Sequence, residues 1–271
     1  MSARSAQGNA VALGRAFRRL YRKDLESLKF TLALFSVLIA AWDGYLLTRV
    51  RAWEPGLPLG LSFIPLAFIP FWIIWDAIQS YRSEWHSGTI YFVLSAPVPG
   101  WIHALSKLAA VATSFTAQSA LALGGTWSIA AATLPRFADV DAWLSQLPSG
   151  YTTQVLLGIV AVYWILGVGT ILHFQAAYVA SQLANRLQLL VLLAALAVEQ
   201  WVVWRMGGLG HYLFAWVPDF RFTAFNVTPQ GVQMLKDFLV VDSGPVLGCA
   251  VAEILFFVAT AWLLQRAVEV S

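Results

Sequence analysis

The chain has 271 residues, of which 59% are hydrophobic and only 11% charged, where an ordinary soluble domain carries roughly a quarter charged residues. Its mean hydropathy is +0.69, and 17 Lys and Arg against 14 Asp and Glu leave a small positive balance. A single core in water could not bury so much apolar surface, which excludes a soluble enzyme, a nucleic-acid module and a disordered chain, and leaves lipid as the solvent.

The residues up to Ser27 are polar and basic. No short apolar run followed by a small-residue cleavage pattern appears among them, so no cleavable signal peptide is expected. From Val11 to Leu25, Leu13, Phe17, Leu20 and Tyr21 recur at helical spacing, while Arg15, Arg18, Arg19, Arg22 and Lys23 fill the other faces. Two readings fit this pattern: an amphipathic interfacial helix lying along the inner leaflet, or a positive flank that orients the first span.

About 20 apolar residues in a helix cross the hydrocarbon core, and six such windows follow. They are Leu28–Thr48, Leu57–Ser80, Ile102–Leu134, Thr152–Ser181, Leu187–Arg205 and Pro245–Gln265. A seventh arises only if the third or fourth is split, and no polar residues divide either. Pro58, Pro65 and Pro70 each remove a backbone donor, so the second span should kink. The expectation is an all-α polytopic membrane protein, a single transmembrane domain over residues 1–271.

Orientation follows from the basic residues near the span ends. With the N-terminus inside, Arg4, Arg15, Arg18, Arg19, Arg22, Lys23, Lys29, Arg82, Lys107, Arg186 and Arg266 fall inside. Only Arg49, Arg51, Arg136, Arg205, Arg221 and Lys236 fall outside. Six spans then put both termini in the cytoplasm, with the cell membrane as the location. Two loops exceed what topology needs. The outer one, residues 206–244, sets Phe214, Trp216, Phe220, Phe222 and Phe225 among Gly and Pro, a density that suits short interfacial or re-entrant helices, Gly231 to Val241 among them.

The inner loop, residues 81–101, carries the motif. Glu84 precedes Gly88-Thr89, a short apolar run extends from Ile90 to Leu94, and Pro97-Val98-Pro99-Gly100 makes a rigid turn before Trp101 re-enters the membrane. Such a run in the cytosol makes sense if another protein covers it. The stretch resembles the membrane subunits of ATP-binding-cassette transporters of the type-2 exporter family. The matching positions are Glu84, Gly88-Thr89, Leu94, Pro97-Val98 and Lys107. Where that family usually has glycine before the lysine, this chain has Ser106.

The resemblance implies that this loop is a coupling helix docked in a groove of a cytoplasmic ATPase, passing ATP-driven closure to the spans. Gly88 would permit a tight helix start and Thr89 would cap it. Leu94 and Val98 would form the apolar knob next to Pro97, and Glu84 would pair with a cation on the ATPase or on the interfacial helix. No Gly-x-x-x-x-Gly-Lys-Ser/Thr occurs in the chain, so ATP and Mg would belong to a partner subunit and the chain is not expected to be an enzyme. Two ATPases would require two permease halves, as a homodimer or heterodimer. The alternative is a membrane anchor or assembly subunit that transports nothing.

Asp43, Asp76, Glu199 and Glu253 fall within spans. They are candidates for a pathway or gate, or for interhelical hydrogen bonds; Asp43 lies close enough to the first span's end to snorkel outward. His86, His103, His173 and His211 show no zinc spacing, and only His103 with His173 could be tried as a haem pair. No Gly-x-Ser-x-Gly elbow marks a hydrolase. Gly244 and Gly248 have the small-xxx-small spacing of a helix-dimerisation face, though at a helix start beside a proline. Cys249 has no internal partner for a disulfide.

Overall fold

In the computed structural model, which describes residues 3–89, 98–137, 150–184, 186–228 and 231–269, helices dominate and six stretches are long and apolar enough to cross a membrane. The chain is therefore an all-α six-span membrane protein in its body, with one β-hairpin added.

Helix α1 (Ala3–Arg49) runs unbroken through both the basic segment and the first span. No proline falls in it, and no glycine lies between Gly14 and Gly44, so nothing stops the helix where an in-plane segment would have to turn. At ~1.5 Å per residue it is about 70 Å long, well beyond a bilayer core. Its buried stripe passes through Asp24, Leu28, Ile39, Asp43 and Leu46, and Val50 just past its end is buried as well.

The second span is two pieces, α2 (Gly56–Leu61) and α3 (Ile64–His86), interrupted at Ser62 and Phe63. The prolines explain the break and its repair. Pro65 cannot donate to the Leu61 carbonyl, which accepts the Trp42 indole N–H at 3.1 Å instead. Pro70 frees the Leu66 carbonyl in the same way, and the Tyr163 hydroxyl donates to it at 2.9 Å. Each lost helical bond is replaced by one from a neighbouring helix, as lipid demands.

Helices α4 (Gly100–Thr133) and α5 (Tyr151–Gln182) are continuous, so neither the third nor the fourth span is split. A 3-10 turn at Leu134–Arg136 follows α4, and Arg136 donates to the Val50 and Trp53 carbonyls beyond the end of α1. Helices α6 (Gln188–Leu213) and α7 (Ser243–Glu269) complete the bundle. The main core joins α1, α3, α4 and α5 through Leu28, Ile39, Ile69, Ile73, Phe115 and Ile171. A second cluster, with Tyr81, Ala104, Val179 and Leu264, closes the end where α3 finishes and α4 begins. That end is termed the clamp end below.

The long loop after the fifth span differs from expectation. Its first part, to Leu213, prolongs α6, but Gly231–Val241 is a strand rather than a short helix. Strands β1 (Phe220–Thr228) and β2 (Gly231–Val241) pair antiparallel from Phe220 opposite Val241 to Thr228 opposite Gly231, with an irregularity between Phe222 and Ala224. Phe220, Phe222, Phe225, Val227, Thr228, Val240 and Val241 are aromatic or β-branched, which favours a pleated ribbon over a helix. Asp242 then caps α7, accepting the Gly244 N–H at 2.9 Å and pairing with His211 at the end of α6.

Gly244 and Gly248 serve packing within the chain. A Cβ on Gly248 would sit 2.1 Å from the Met206 carbonyl oxygen, and one on Gly210 would sit 2.3 Å from that of Gly244. Glycine at these positions lets the α6 and α7 backbones touch.

Candidate functional site

At the clamp end four charged side chains from three helices converge. Asp24 and Lys23 come from α1, Glu84 from the last turns of α3, and Lys107 from the second turn of α4. Lys107 is the hub, with its side chain only 4% exposed. Its ammonium donates to the Ser80 carbonyl at 2.7 Å and to Asp24 Oδ1 at 3.3 Å, and lies 3.0 Å from Glu84 Oε2 as an ion pair. It also sits 5.1 Å from the centre of the buried Tyr81 ring. Lys23 holds the other oxygen of Glu84, and Ser106 Oγ donates to Asp24 Oδ2 at 2.7 Å.

Two cations meet two anions, so the cluster is neutral as a whole. That condition, with the Ser106 hydrogen bond to Asp24 Oδ2, lets a buried charge network persist despite its desolvation cost. Helix geometry makes it feasible. Asp24 falls on the same stripe of α1 as Leu28 and so faces the bundle, whereas Arg22 and Glu26 pair with each other on the exposed side. Ser106, where the resembled family usually has glycine, supplies a hydroxyl that Asp24 uses.

The cluster brackets the loop between α3 and α4, since Glu84 precedes it and Lys107 follows it. Gly88 has φ +68° and ends α3 in the left-handed conformation. It thus serves as a stop for α3, and the helix that the resemblance implies after it falls on residues outside the described ones. Thr89 likewise turns backward: its hydroxyl lies 2.8 Å from that of Ser87 and donates to the Glu84 carbonyl at 3.5 Å. Val98 is half-buried next to Gly100, which packs against Gln265 and the Ala261 carbonyl of α7. Leu94 and Pro97, with the run from Ile90, lie outside the described residues.

The four intramembrane carboxylates fall into separate places. Asp43 does not reach outward; it is 5% exposed and packs on α4 at Gly125, where a Cβ would fall 1.8 Å from Asp43 Oδ2. Asp76 is 2% exposed and accepts from Ser114 Oγ at 3.4 Å across the α3–α4 contact. Glu199 of α6 and Glu253 of α7 meet at one imidazole, His173 of α5. Nδ1 lies 3.1 Å from Glu199 Oε2, and Nε2 lies 3.1 Å from Glu253 Oε1. Gly169, one turn from His173, leaves room for Glu253, since a Cβ there would be 3.0 Å from Oε1. Asp43 and Asp76 therefore line the α1–α3–α4 side, while the other two carboxylates lie in the α5–α6–α7 unit.

Each ring nitrogen of His173 therefore faces a carboxylate oxygen rather than His103. His103 is buried on α4 and exchanges electrostatic influence with the clamp charges instead. No group of three or more His, Cys, Asp and Glu among the described residues is arranged to hold a metal ion. Sequence reasoning missed Lys23 and Asp24 as members of the clamp, and missed the partners of His173. The signal for Asp24 was present: it is an acid within a basic segment, in phase with the apolar stripe that continues to Val50. No local signal foretold that His173 would join Glu199 and Glu253, because the three lie on different helices.

No family model, curated protein or solved structure matches the chain. The class that the fold defines is a multi-pass helical membrane protein, with a neutral charge cluster bracketing one interhelical loop.

Proposed function

We propose that the chain is the permease subunit of an ATP-binding-cassette exporter, moving an unidentified substrate with energy from an ATPase on a separate chain. The observation that supports this most is the cluster of Lys23, Asp24, Glu84 and Lys107. It ties both flanks of the α3–α4 loop to α1. A push on that loop would be delivered to three spans at once, which is what a coupling element requires. The likeness of Glu84, Gly88-Thr89, Leu94, Pro97-Val98 and Lys107 to the exporter motif points the same way. In this reading the loop faces the cytoplasm of a cell membrane, both termini lie on that side, and ATP and Mg bind the partner. Two copies, or this chain and a similar one, form the pathway, with Asp43, Asp76, Glu199 and Glu253 as candidate lining or gating groups.

The test is photo-crosslinking from the loop. With a crosslinking residue at Thr89 or Val98 in the full chain, in its native membrane, the expected adduct is an ATPase carrying a phosphate-binding loop. Crosslinks to lipid alone, and no ATPase with the purified chain, would overturn the reading in favour of a non-transporting anchor.

A further inference from the structure

The His173–Glu199–Glu253 group is partly buried where α5, α6 and α7 meet, and its hydrogen bonds constrain its proton content. Each 3.1 Å contact between a ring nitrogen and a carboxylate oxygen needs one proton. A neutral imidazole carries a single N–H, so it can serve only one of the two contacts. The second proton sits either on the imidazole as a cation or on one carboxyl. Both arrangements hold two protons and leave the triad with a net charge of minus one.

Among the described residues, no lysine or arginine forms an ion pair with either glutamate. Helix α4 has no ionisable residue between Lys107 and Arg136, and α3 brings Asp76, itself an acid, engaged by Ser114, with Tyr81, Arg82, Glu84 and His86 toward its end. On α6 the next cation is Arg205, which stands over the Trp201 and Trp204 rings. On α7 the ionisable neighbour is Cys249, one turn from Glu253. One acceptor also remains open, because Glu253 Oε2 is buried without a hydrogen-bond partner among the described residues. A cleft of about 820 Å³ between α6 and α7, lined by Gln200, Val203, Gly207 and Cys249 among others, reaches within a turn of both glutamates.

From this geometry we infer that His173, Glu199 and Glu253 form a proton-binding site that fastens α6 to α5 and α7. Two protons hold both hydrogen bonds, and a third, taken up onto Glu253 Oε2, brings the net charge to zero without breaking either. Loss of the second proton leaves a carboxylate facing an imidazole lone pair, and one bond opens. Helix α6 is the element this affects most, since among its residues only Glu199, Gly207 and Gly210 are buried. The inference does not depend on the ATPase partner, and its test uses the chain alone.

The full chain in lipid nanodiscs is taken from neutral to alkaline pH. Amide hydrogen exchange of α6, corrected for the intrinsic pH dependence, is followed together with the infrared bands of imidazolium and protonated carboxyl. Wild type should show about a tenfold rise in α6 exchange, in step with loss of one of those bands. Glu253→Gln keeps both hydrogen bonds with one fewer titrating group, so its α6 exchange should stay flat. Glu199→Gln should do the same, which guards against a folding defect in either variant. An equal pH response in wild type and both variants would overturn the proposal. So would a transition that moves with sodium or methylammonium concentration at fixed pH, since the site would then hold another cation.

Discussion

At the scale of single residues, Lys107 and its partners make the sharpest predictions. Removing one member of a buried, hydrogen-bonded charge network leaves the others uncompensated, which costs about 3–5 kcal/mol. Lys107→Met should therefore lower stability by that amount in detergent-titration unfolding. Lys107→Met combined with Asp24→Asn should cost less than the sum of the two, because the orphaned anion is gone. Ser106→Gly removes one bond to a charged acceptor and should cost about 1.5–3 kcal/mol. Asp242 makes a pH prediction at the opposite end. Its bond with His211 holds the carboxyl below the ordinary value. A depressed carboxyl contributes stability above its unfolded value and loses it as pH falls through the folded one. Asp242→Asn should accordingly flatten the acid limb of the stability profile and leave the neutral region less changed.

At the scale of elements, the proline repairs are separable by a double substitution. Tyr163→Phe deprives the Leu66 carbonyl of its donor beside Pro70, and an unsatisfied buried carbonyl costs about 1–3 kcal/mol. In a Pro70→Ala background the helix regains its own N–H, so the same Tyr163→Phe change should cost little. Reduced coupling between the two sites would show that the carbonyl is satisfied elsewhere. The α6–α7 contact is equally specific. Gly248→Val forces a side chain against the Met206 carbonyl and should destabilise by about 1–3 kcal/mol. It should also speed thiol labelling of Cys249, which lies in the same seam against Gly207.

At the scale of the whole molecule, six spans place the start of α1 and the end of α7 on one side, with the hairpin on the other. In a Cys249→Ala background, Arg18→Cys and Gln265→Cys should label from the same face with an impermeant thiol reagent, and Asn226→Cys from the opposite face. Much of this layout was legible in the sequence, because spans are set by length and hydropathy alone and lipid allows few alternatives. The second-span break was also legible, since Pro65 and Pro70 have only one effect on a helical ladder. The hairpin was not, because aromatic, semi-polar residues suit an interfacial helix and a ribbon equally until a pairing partner is known. The clamp was half legible: Glu84 and Lys107 stood out through the loop motif. Asp24 and Lys23 joined them only once α1 was laid along α4, a long-range packing outcome. The triad was the least legible, because three helices had to meet before its residues became neighbours.

The neutrality of the clamp has an electrical consequence. A membrane potential does work on net charge, about 2.3 kcal/mol per elementary charge across 100 mV. A unit of two cations and two anions that moves together carries none. The α3–α4 loop and its anchoring charges could shift along the membrane normal without sensing voltage. A proton entering the inferred His173–Glu199–Glu253 site from one side would cross part of that potential, so its uptake would respond to voltage where the clamp is silent.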